Sequence, residues 1–296
     1  MMPYEIKTLT EEEADGLLEK LADYLESEAP SDPSVPAPEA EPLVFIVRND
    51  EKNVIAGCIV HVHEWGRAVL ATLWTDERFR GLGLGSLLIR AAERAVREKG
   101  CHIMCLGTMD FMARPLYEKH GYRVFSVSKD YPKGHEGWSL MKRLDLGLPD
   151  YVPSNNSAAS RYEVEHGTKE DAKTIENGLE QYDTGFVADG HDAIPIGRKL
   201  VDKDGRLIAG IYAYVDGWNG CDIDVLWVEE AFRRRGLGSL LLRETAQAAK
   251  ENGAFVMFAD AGDWNVGFFR KNGFDEKGRL EDYPKGRCCY ELEKRL

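Results

Sequence analysis

The chain carries one stretch of sequence twice, and this duplication limits the folds open to it more than any other feature. LWTDERFRGLGLGSLLIR (73–90) and LWVEEAFRRRGLGSLLLR (226–243) agree at 12 of 18 positions without a gap. In each copy an apolar strand leads through a turn with clustered glycines into an amphipathic helix. Glycines let backbone N–H groups converge at a helix N-terminus, which carries partial positive charge. Each copy therefore predicts a phosphate-binding site.

The duplication extends over nearly the whole chain of 296 residues, since 129–144 also matches 281–296 at 9 of 16 positions. We therefore expect two domains of ordinary size, residues 1–147 and 161–296. The intervening stretch 148–160 is rich in Pro, Ser and Asn and is predicted to be a linker.

Composition narrows the function classes. The formal net charge of -13 argues against nucleic acid as a partner, because phosphate backbones favour basic surfaces. The acidic N-terminal sequence lacks the apolar core of a signal peptide, and no 18-residue apolar run predicts a membrane span. The six cysteines lack paired C-x-x-C spacing, which favours reduced thiols in a cytoplasmic protein and no metal site.

Hydrophobic periodicity predicts the same α/β (α+β) order of elements in both repeats. In the first repeat a short strand precedes a helix with Thr10 as its N-cap, and the main helix ends at Gly100. The Pro-rich stretch 29–42 is predicted to be an extended loop. The remaining predicted elements are strands near 43–49, 54–63, 68–75, 102–106, 121–129 and 136–143 and a short helix near 111–119.

The glycine loop allows three interpretations. A Rossmann fingerprint needs a third glycine where Leu88 and Leu241 stand, and a Walker loop needs a Gly-Lys-Ser/Thr sequence that neither copy has. A helix N-terminus without a ligand would not explain Arg80 and Arg233, which precede both glycine pairs at the same spacing.

The third interpretation is a family resemblance. The pattern R-x-x-G-x-G resembles the acyl-CoA loop of the GNAT superfamily of N-acyltransferases, and the L-W-x-x-E strand, the S-L-L helix and the closing D-Y-P-x-G hairpin resemble that family as well. The pattern is filled by Arg80, Gly83 and Gly85 and again by Arg233, Gly236 and Gly238. The resemblance covers both repeats and implies two tandem GNAT domains, each a mixed, mostly antiparallel sheet flanked by helices.

The resemblance implies that acetyl-CoA, or another short acyl-CoA, binds at both loops. Its pyrophosphate would lie on backbone N–H groups, and its pantetheine arm would pair with the preceding strand. The residues expected to bind it are Leu73, Trp74, Thr75, Arg80, Gly81, Leu82, Gly83, Leu84, Gly85 and Ser86 in the first repeat. In the second they are Leu226, Trp227, Val228, Arg233, Arg234, Arg235, Gly236, Leu237, Gly238 and Ser239.

The resemblance also implies a general acid and a general base for attack of an amine on the thioester. GNAT members often place a tyrosine acid on the short helix before G-F, where this chain has Tyr117 in the first repeat but Phe269 in the second. A carboxylate often lies on the strand leading to the loop, where only the second repeat has Asp222 and Asp224. The first repeat has Val69 and Ala71 at those positions, with Glu64, His61 and His63 nearby.

Neither repeat therefore carries the complete acid–base pair. We expect the first repeat to be catalytic, because a water chain replaces a base more readily than Phe269 replaces an acid. The expected activity is acetylation of a primary amine on a small molecule or peptide. Two alternatives stay open: catalysis in the second repeat, and a pseudoenzyme in which one or both domains only bind CoA. The sequence does not indicate the acceptor or the oligomeric state.

Overall fold

A computed structural model of the chain describes residues 4–29, 38, 41–146, 158–187 and 191–296. Most of the predicted linker and of the Pro-rich stretch 29–42 lies outside the described residues. Of the linker, 158–160 fall in a short 3-10 turn, Ala158–Arg161.

The two repeats fold into the same order of elements. The first repeat forms β1 (Glu5–Thr8), α1 (Glu11–Glu28), β2 (Leu43–Arg48), β3 (Val54–Val62), β4 (Arg67–Thr75), α2 (Leu84–Glu98), β5 (Ile103–Met109), α3 (Arg114–Lys119), β6 (Arg123–Lys129) and β7 (Glu136–Arg143). The second forms β8 (Glu165–His166), α4 (Lys169–Asp183), β9 (Ile194–Val201), β10 (Leu207–Val215), β11 (Gly220–Val228), α5 (Leu237–Glu251), β12 (Val256–Gly262), α6 (Val266–Lys271), β13 (Asp275–Glu281) and β14 (Cys288–Arg295). This order confirms the predicted α/β arrangement.

The chain forms two compact units, and each combines segments of both repeats. The N-terminal unit consists of Ser31–Asp130 and His135–Ala188, and the C-terminal unit of Met1–Pro30, Tyr131–Gly134 and Asp189–Leu296. The boundaries expected at 147 and 161 follow the repeats in the sequence. The compact units instead exchange the first strand and helix of each repeat.

Each unit contains a mixed sheet with seven strands among the described residues. The order is β6-β7-β5-β4-β3-β2-β8 in the N-terminal unit and β1-β9-β10-β11-β12-β14-β13 in the C-terminal unit. The exchanged strands β1 and β8 form the outer pairs, both antiparallel, with β9 and β2. The central pairs β4–β5 and β11–β12 are parallel, and the other pairs are antiparallel.

Helices cover both faces of each sheet. In the N-terminal unit α2 packs on one face, while α4 places Ala172 and Ile175 against Ile46 and Ile59 on the other. In the C-terminal unit α5 covers one face. The opposite face carries α1, whose residues Ala14 and Leu17 pack with Leu9, Val225 and Trp227. The exchanged helices thus complete the cores of both units.

The N-termini of both exchanged helices are closed by capping boxes. Thr10, as predicted, accepts from the Glu13 N–H while Glu13 accepts from the Thr10 N–H. Thr168 and Asp171 make the same reciprocal pair at α4. These two helices therefore satisfy their own N-terminal donors.

The docking of the β1–α1 segment on β9 can be tested at Gly197. A Cβ there would lie 1.9 Å from the Leu9 carbonyl oxygen, which is backbone and cannot turn aside. We expect Gly197→Ala to destabilise the C-terminal unit by about 1–3 kcal/mol. Urea unfolding measures this change.

The matched control is Gly16→Ala on α1, where a Cβ would meet nothing within 4 Å. Because glycine weakens a helix interior, this change should stabilise by about 0.5–1 kcal/mol. A neutral Gly197→Ala variant would contradict the pairing of β1 with β9.

Candidate active site

The parallel central strands separate partway along their length in both units. In the N-terminal unit 67–69 pair with 103–105, and in the C-terminal unit 220–222 pair with 256–258. Beyond these residues β4 and β11 continue, but in the part of the chain that the structure describes they no longer pair with β5 and β12. The split leaves backbone donors and acceptors available for a ligand that binds like a strand.

A β-bulge lies just beyond the split in each unit. The β3–β4 register passes over Ala71, and the β10–β11 register passes over Asp224. Bulges bend a strand and redirect its side chains, and they are frequent beside active sites. The two units therefore share their backbone here and differ in the side chain at the bulge.

The glycine loop follows the split strand and leaves open space above its backbone. Gly83 and Gly236 adopt left-handed φ values of 91° and 81°. A Cβ on Gly236, or on Gly81 of the other loop, would meet nothing within 4 Å. At the preceding left-handed position Gly81 of one loop corresponds to Arg234 of the other, with φ values of 78° and 59°. That position tolerates a side chain, whereas both loops keep glycine at 83 and 236.

The second glycine of each pair has a packing role. A Cβ on Gly85 would lie 3.2 Å from the Leu116 side chain, and one on Gly238 would lie 3.1 Å from the Phe268 ring. These glycines let α2 and α5 approach α3 and α6 closely. In the C-terminal loop, Gly236 faces the open side and Gly238 does not.

The helices after the loops begin without side-chain caps. The N-cap residues of α2 and α5 are Gly83 and Gly236, and no side chain hydrogen-bonds at either cap. The exchanged helices, by contrast, carry capping boxes. The N–H groups at the starts of α2 and α5 therefore point into the loop and can bind an anion together with the helix dipole.

The loop arginines are held in position by an exchanged helix. Arg80 Nε donates to the Thr75 carbonyl over 3.1 Å, and its guanidinium lies 4.6 Å from the Tyr182 ring centroid on α4. The corresponding residues of the C-terminal unit are Arg233, Val228 and Tyr24, with distances of 3.0 and 4.6 Å. Both contacts leave the terminal guanidinium nitrogens for another anion. Sequence analysis missed both tyrosines, since they come from the opposite repeat.

Most other residues expected to bind the cofactor bury or engage their side chains elsewhere. Trp74 packs against α4 at Gly178, and Trp227 is buried against α1. The Ser86 hydroxyl lies 2.9 Å from His120 Nε2. Leu73, Leu82 and Leu84 pack in the core beside α2, and Leu226, Val228 and Leu237 in the core beside α5. For these residues the backbone is therefore the main group left to contact a ligand.

Tyr117, the expected general acid, is buried in the N-terminal core. It packs edge-to-face on Tyr122, as Phe269 packs on Phe274 in the other unit. Burial raises the pKa of Tyr117, which makes it a weaker proton donor. Its position is that of a core aromatic, occupied equally well by phenylalanine in the second repeat.

The alternative bases of the N-terminal unit lie around the turn between β3 and β4. Glu64 is exposed in that turn, and burial and the charge of Arg67 lower the pKa of His63. At the last β4–β5 pair the strand carries Val69. The structure therefore does not bring Glu64 to the position at which the strands separate.

Asp222 occupies that position in the C-terminal unit, since it pairs with Phe258 at the last β11–β12 contact. Burial and the carboxylates of Asp216, Asp260 and Asp224 raise the pKa of Asp222 to about 7. Partial burial also raises the pKa of Asp224. A carboxyl with a pKa near neutrality can accept and release a proton under physiological conditions.

Asp216, in the turn before β11, was missed by the sequence analysis. Its Oδ1 accepts from the N–H groups of Trp218 and Gly220 over 2.8 and 3.0 Å, and its Oδ2 accepts from the Tyr131 hydroxyl. The D-G-W-N-G sequence is a usable signal, because an aspartate at such a turn commonly accepts backbone N–H groups. Nothing local in the sequence connects Asp216 with Tyr131.

The comparisons with known proteins agree with this geometry. The profile of the acetyltransferase (GNAT) family matches residues 8–122 and again residues 158–274, together more than half of the chain. The chain belongs to the acetyltransferase (GNAT) family. The two matches confirm the tandem GNAT architecture expected from the repeats.

Individual relatives are also acetyltransferases. The blasticidin-S acetyltransferase of Streptomyces morookaense is 38% identical over 112 residues, 37% of this chain and 82% of the relative. Acetyltransferase Atu2258 of Agrobacterium fabrum is 28% identical over 102 residues, 34% of this chain and 74% of the relative. A crystal structure of an acetyltransferase from Bacillus cereus is 31% identical with a TM-score of 0.43, covering 45% of this chain and 97% of that one.

Membership of the GNAT family implies the use of acyl-CoA, and the residues present fit that molecule. The open space at Gly81 and Gly236, the uncapped helix N-termini and the loop arginines could receive a pyrophosphate. The split strands could receive the extended arm. The backbone of both GNAT units is therefore compatible with a bound acyl-CoA.

Across the described ranges of this GNAT chain, no group of three or more His, Cys, Asp or Glu side chains is arranged to hold a metal ion. In that same part of the chain, no helix is long and apolar enough to cross a membrane. The six cysteines are free thiols, and Cys58, Cys101, Cys105 and Cys221 are buried.

Proposed function

We propose that the chain is an acetyl-CoA-dependent N-acetyltransferase that acts on a primary amine, with the C-terminal unit as the catalytic one. The observation that carries this proposal is Asp222, a carboxyl with a pKa near 7 at the point where β11 and β12 separate. The alternative, catalysis in the first repeat, depends on Tyr117, whose ring lies in the N-terminal core.

Acyl-CoA bound at the C-terminal loop would supply a thioester, whose carbonyl carbon an amine attacks with release of the CoA thiol. Asp222, as a carboxylate, accepts a proton from the incoming ammonium group, directly or through water. Asp222 then releases this proton to solvent. The second proton lost by the amine nitrogen goes to the departing sulfur, so the reaction releases one proton in total. A thiol with an ordinary pKa of about 8.5 leaves without a strong side-chain acid.

The surroundings of Asp222 favour a cationic acceptor. Asp216, Asp224 and Asp260 lie close enough to shift its pKa, so an ammonium group entering here meets negative charge. Tyr214 lies on the neighbouring strand, and burial and Asp222 raise its pKa to about 12. It would be a neutral hydroxyl beside the acceptor.

The N-terminal unit is proposed to bind acyl-CoA without this base. Its loop has the same backbone as the C-terminal loop, but Val69 and Ala71 replace the two strand aspartates. This unit would then act as a CoA-binding partner of the catalytic one, which is the pseudoenzyme alternative for one half of the chain.

The test is an acyl-transfer assay of the full chain with acetyl-CoA and propionyl-CoA against a panel of amines. The panel includes polyamines, amino acids, peptides with a free N-terminus or lysine, and blasticidin S, after which one relative is named. We expect an acetylated amine detected by mass spectrometry. A chain that binds CoA but acetylates no amine would overturn the proposal.

A further inference from the structure

Besides the exchanged strand and helix, Tyr131 of the first repeat packs within the C-terminal unit. Tyr131 belongs to the hairpin between β6 and β7, and its segment, Tyr131–Gly134, is part of the C-terminal unit. Its ring packs on Phe258 at 4.7 Å and on Trp218 at 6.1 Å between centroids. Phe258 is the residue that pairs with Asp222 at the split.

The second repeat has a position shaped for this ring. A Cβ on Gly220 would lie 2.6 Å from a Tyr131 ring carbon, so glycine at the start of β11 admits the tyrosine. The corresponding residue of the first repeat is Arg67, which has a long side chain. The ring position is therefore a feature of the C-terminal unit alone.

The tyrosine hydroxyl donates to Asp216 Oδ2, while two backbone N–H groups donate to Asp216 Oδ1. Three hydrogen bonds therefore fix the orientation of the Asp216 carboxyl. Burial and the charge of Asp216 raise the pKa of Tyr131, so its proton stays on the hydroxyl. Asp216 in turn lies close enough to Asp222 to raise the pKa of that carboxyl. A chain of polar groups thus runs from Tyr131 through Asp216 to the carboxyl at the split.

We propose that Tyr131 of the first repeat is a positioning residue of the C-terminal active site. It holds the Asp216 carboxyl in place and through it sets the orientation and proton affinity of Asp222. This inference rests on the proposed function of Asp222. It makes the catalytic site a product of both repeats, although every loop and strand that would bind the reactants comes from the second.

The groups around Asp222 determine what the tyrosine changes. Asp216 faces it from the turn before β11, Asp260 from β12, Asp224 from β11 itself and Tyr214 from β10. Asp216 also contributes to the raised pKa of the exposed His191, whose largest cause is a hydrogen bond to the Asp192 carbonyl. Because Asp216 lies beside Asp222, a change at Asp216 should alter the pKa of Asp222.

Two substitutions should shift this titration in opposite directions. Tyr131→Phe removes a donor that stabilises the fully ionised pair, so the pair keeps its last proton to higher pH. The acid limb of the kcat/KM profile should move upward by roughly one pH unit, since a hydrogen bond to a charged group is worth about that much. Asp216→Asn removes the neighbouring negative charge and should move the limb downward.

The experiment measures kcat/KM against pH for the full chain and for Tyr131→Phe, Asp216→Asn and Tyr283→Phe. Tyr283 is the corresponding tyrosine of the second repeat's D-Y-P-x-G hairpin, and its variant is the matched control with an expected unchanged profile. A tyrosine that only supports packing would lower stability without moving the acid limb. An unmoved acid limb in Tyr131→Phe overturns the inference.

A second readout does not depend on turnover. Carbon-13 NMR of the full chain labelled at aspartate carboxyls follows the titration of Asp222, identified by loss of its signal in Asp222→Asn. The titration should rise in Tyr131→Phe and fall in Asp216→Asn. These shifts could appear while Asp222→Asn retains full activity. That result would support the coupling of Tyr131 to Asp222 through Asp216 and would contradict the proposed catalytic role of Asp222. If the titration does not respond to Tyr131→Phe, the inference itself is wrong.

Discussion

Asp222→Asn is expected to lower kcat/KM by roughly 10²–10⁴, the range for loss of a general base. The amide has the same shape as the carboxyl, so the strand pairing at Phe258 should persist. It cannot take a proton from the acceptor ammonium. CoA affinity should change little, because the proposed contacts to CoA are backbone groups of 234–239 and not this side chain. The measurement is steady-state kinetics with the best amine of the panel, beside calorimetry with CoA.

The wild-type profile should add the matching pH dependence. Since the pKa of Asp222 is about 7, a falling pH protonates the base, and kcat/KM should decline below pH 7. Asp224→Asn removes a neighbouring negative charge and should leave most of the activity. Tyr117→Phe should also be mild, because the second repeat fills that core position with Phe269. A silent Asp222→Asn beside an inactive Tyr117→Phe would move catalysis to the N-terminal unit.

The order of elements could be predicted from sequence because each local signal has a local cause. Thr10 with Glu13 three residues later specifies a capped helix start, and the apolar periodicity of 84–96 specifies the main helix. Helix and strand bounds therefore agree within a few residues. These signals depend on neighbours along the chain and not on the partner that a segment finally packs against.

The exchange of the first strand and helix could not be predicted for the same reason. β1 is four exposed residues whose pattern would suit the edge of either sheet. What assigns it to β9 is the long-range fit of Leu9 over Gly197 and of Leu17 over Gly210. Nothing in the sequence around either glycine indicates which residue will pack over it. In a duplicated chain, two similar edges compete for each such segment.

The candidate site was predictable in its backbone and less so in its side chains. The two glycines of the C-terminal loop differ, since Gly236 lines open space and Gly238 accommodates Phe268. The sequence places Tyr117 on the short helix but does not show that its ring packs on Tyr122 in the core. Asp216 reaches the site through a turn, and its partner Tyr131 comes from a hairpin 85 residues away.

Gly236→Val is expected to abolish CoA binding at the C-terminal loop, and Gly83→Val should do the same at the N-terminal loop. A side chain at Gly236 would enter the open space over the uncapped helix start. At both positions a β-branched residue also resists the left-handed φ. Calorimetry of the wild-type chain should find about two CoA sites, one at each such helix N-terminus, and each variant should lose one.

Two matched variants separate blocked binding from a strained turn. Gly236→Asn also places a side chain in the open space, but asparagine accepts the left-handed conformation, so binding should be lost while the melting temperature changes little. Gly81→Arg copies the residue that the second loop carries at Arg234, with φ 59°, and should keep both sites. Retained binding in Gly236→Asn would mean that the pyrophosphate does not lie over this glycine. The wild-type chain could instead bind one CoA, with that site lost only in Gly236→Val. This result would mean that the N-terminal unit does not bind CoA and that its glycine loop serves only to start α2.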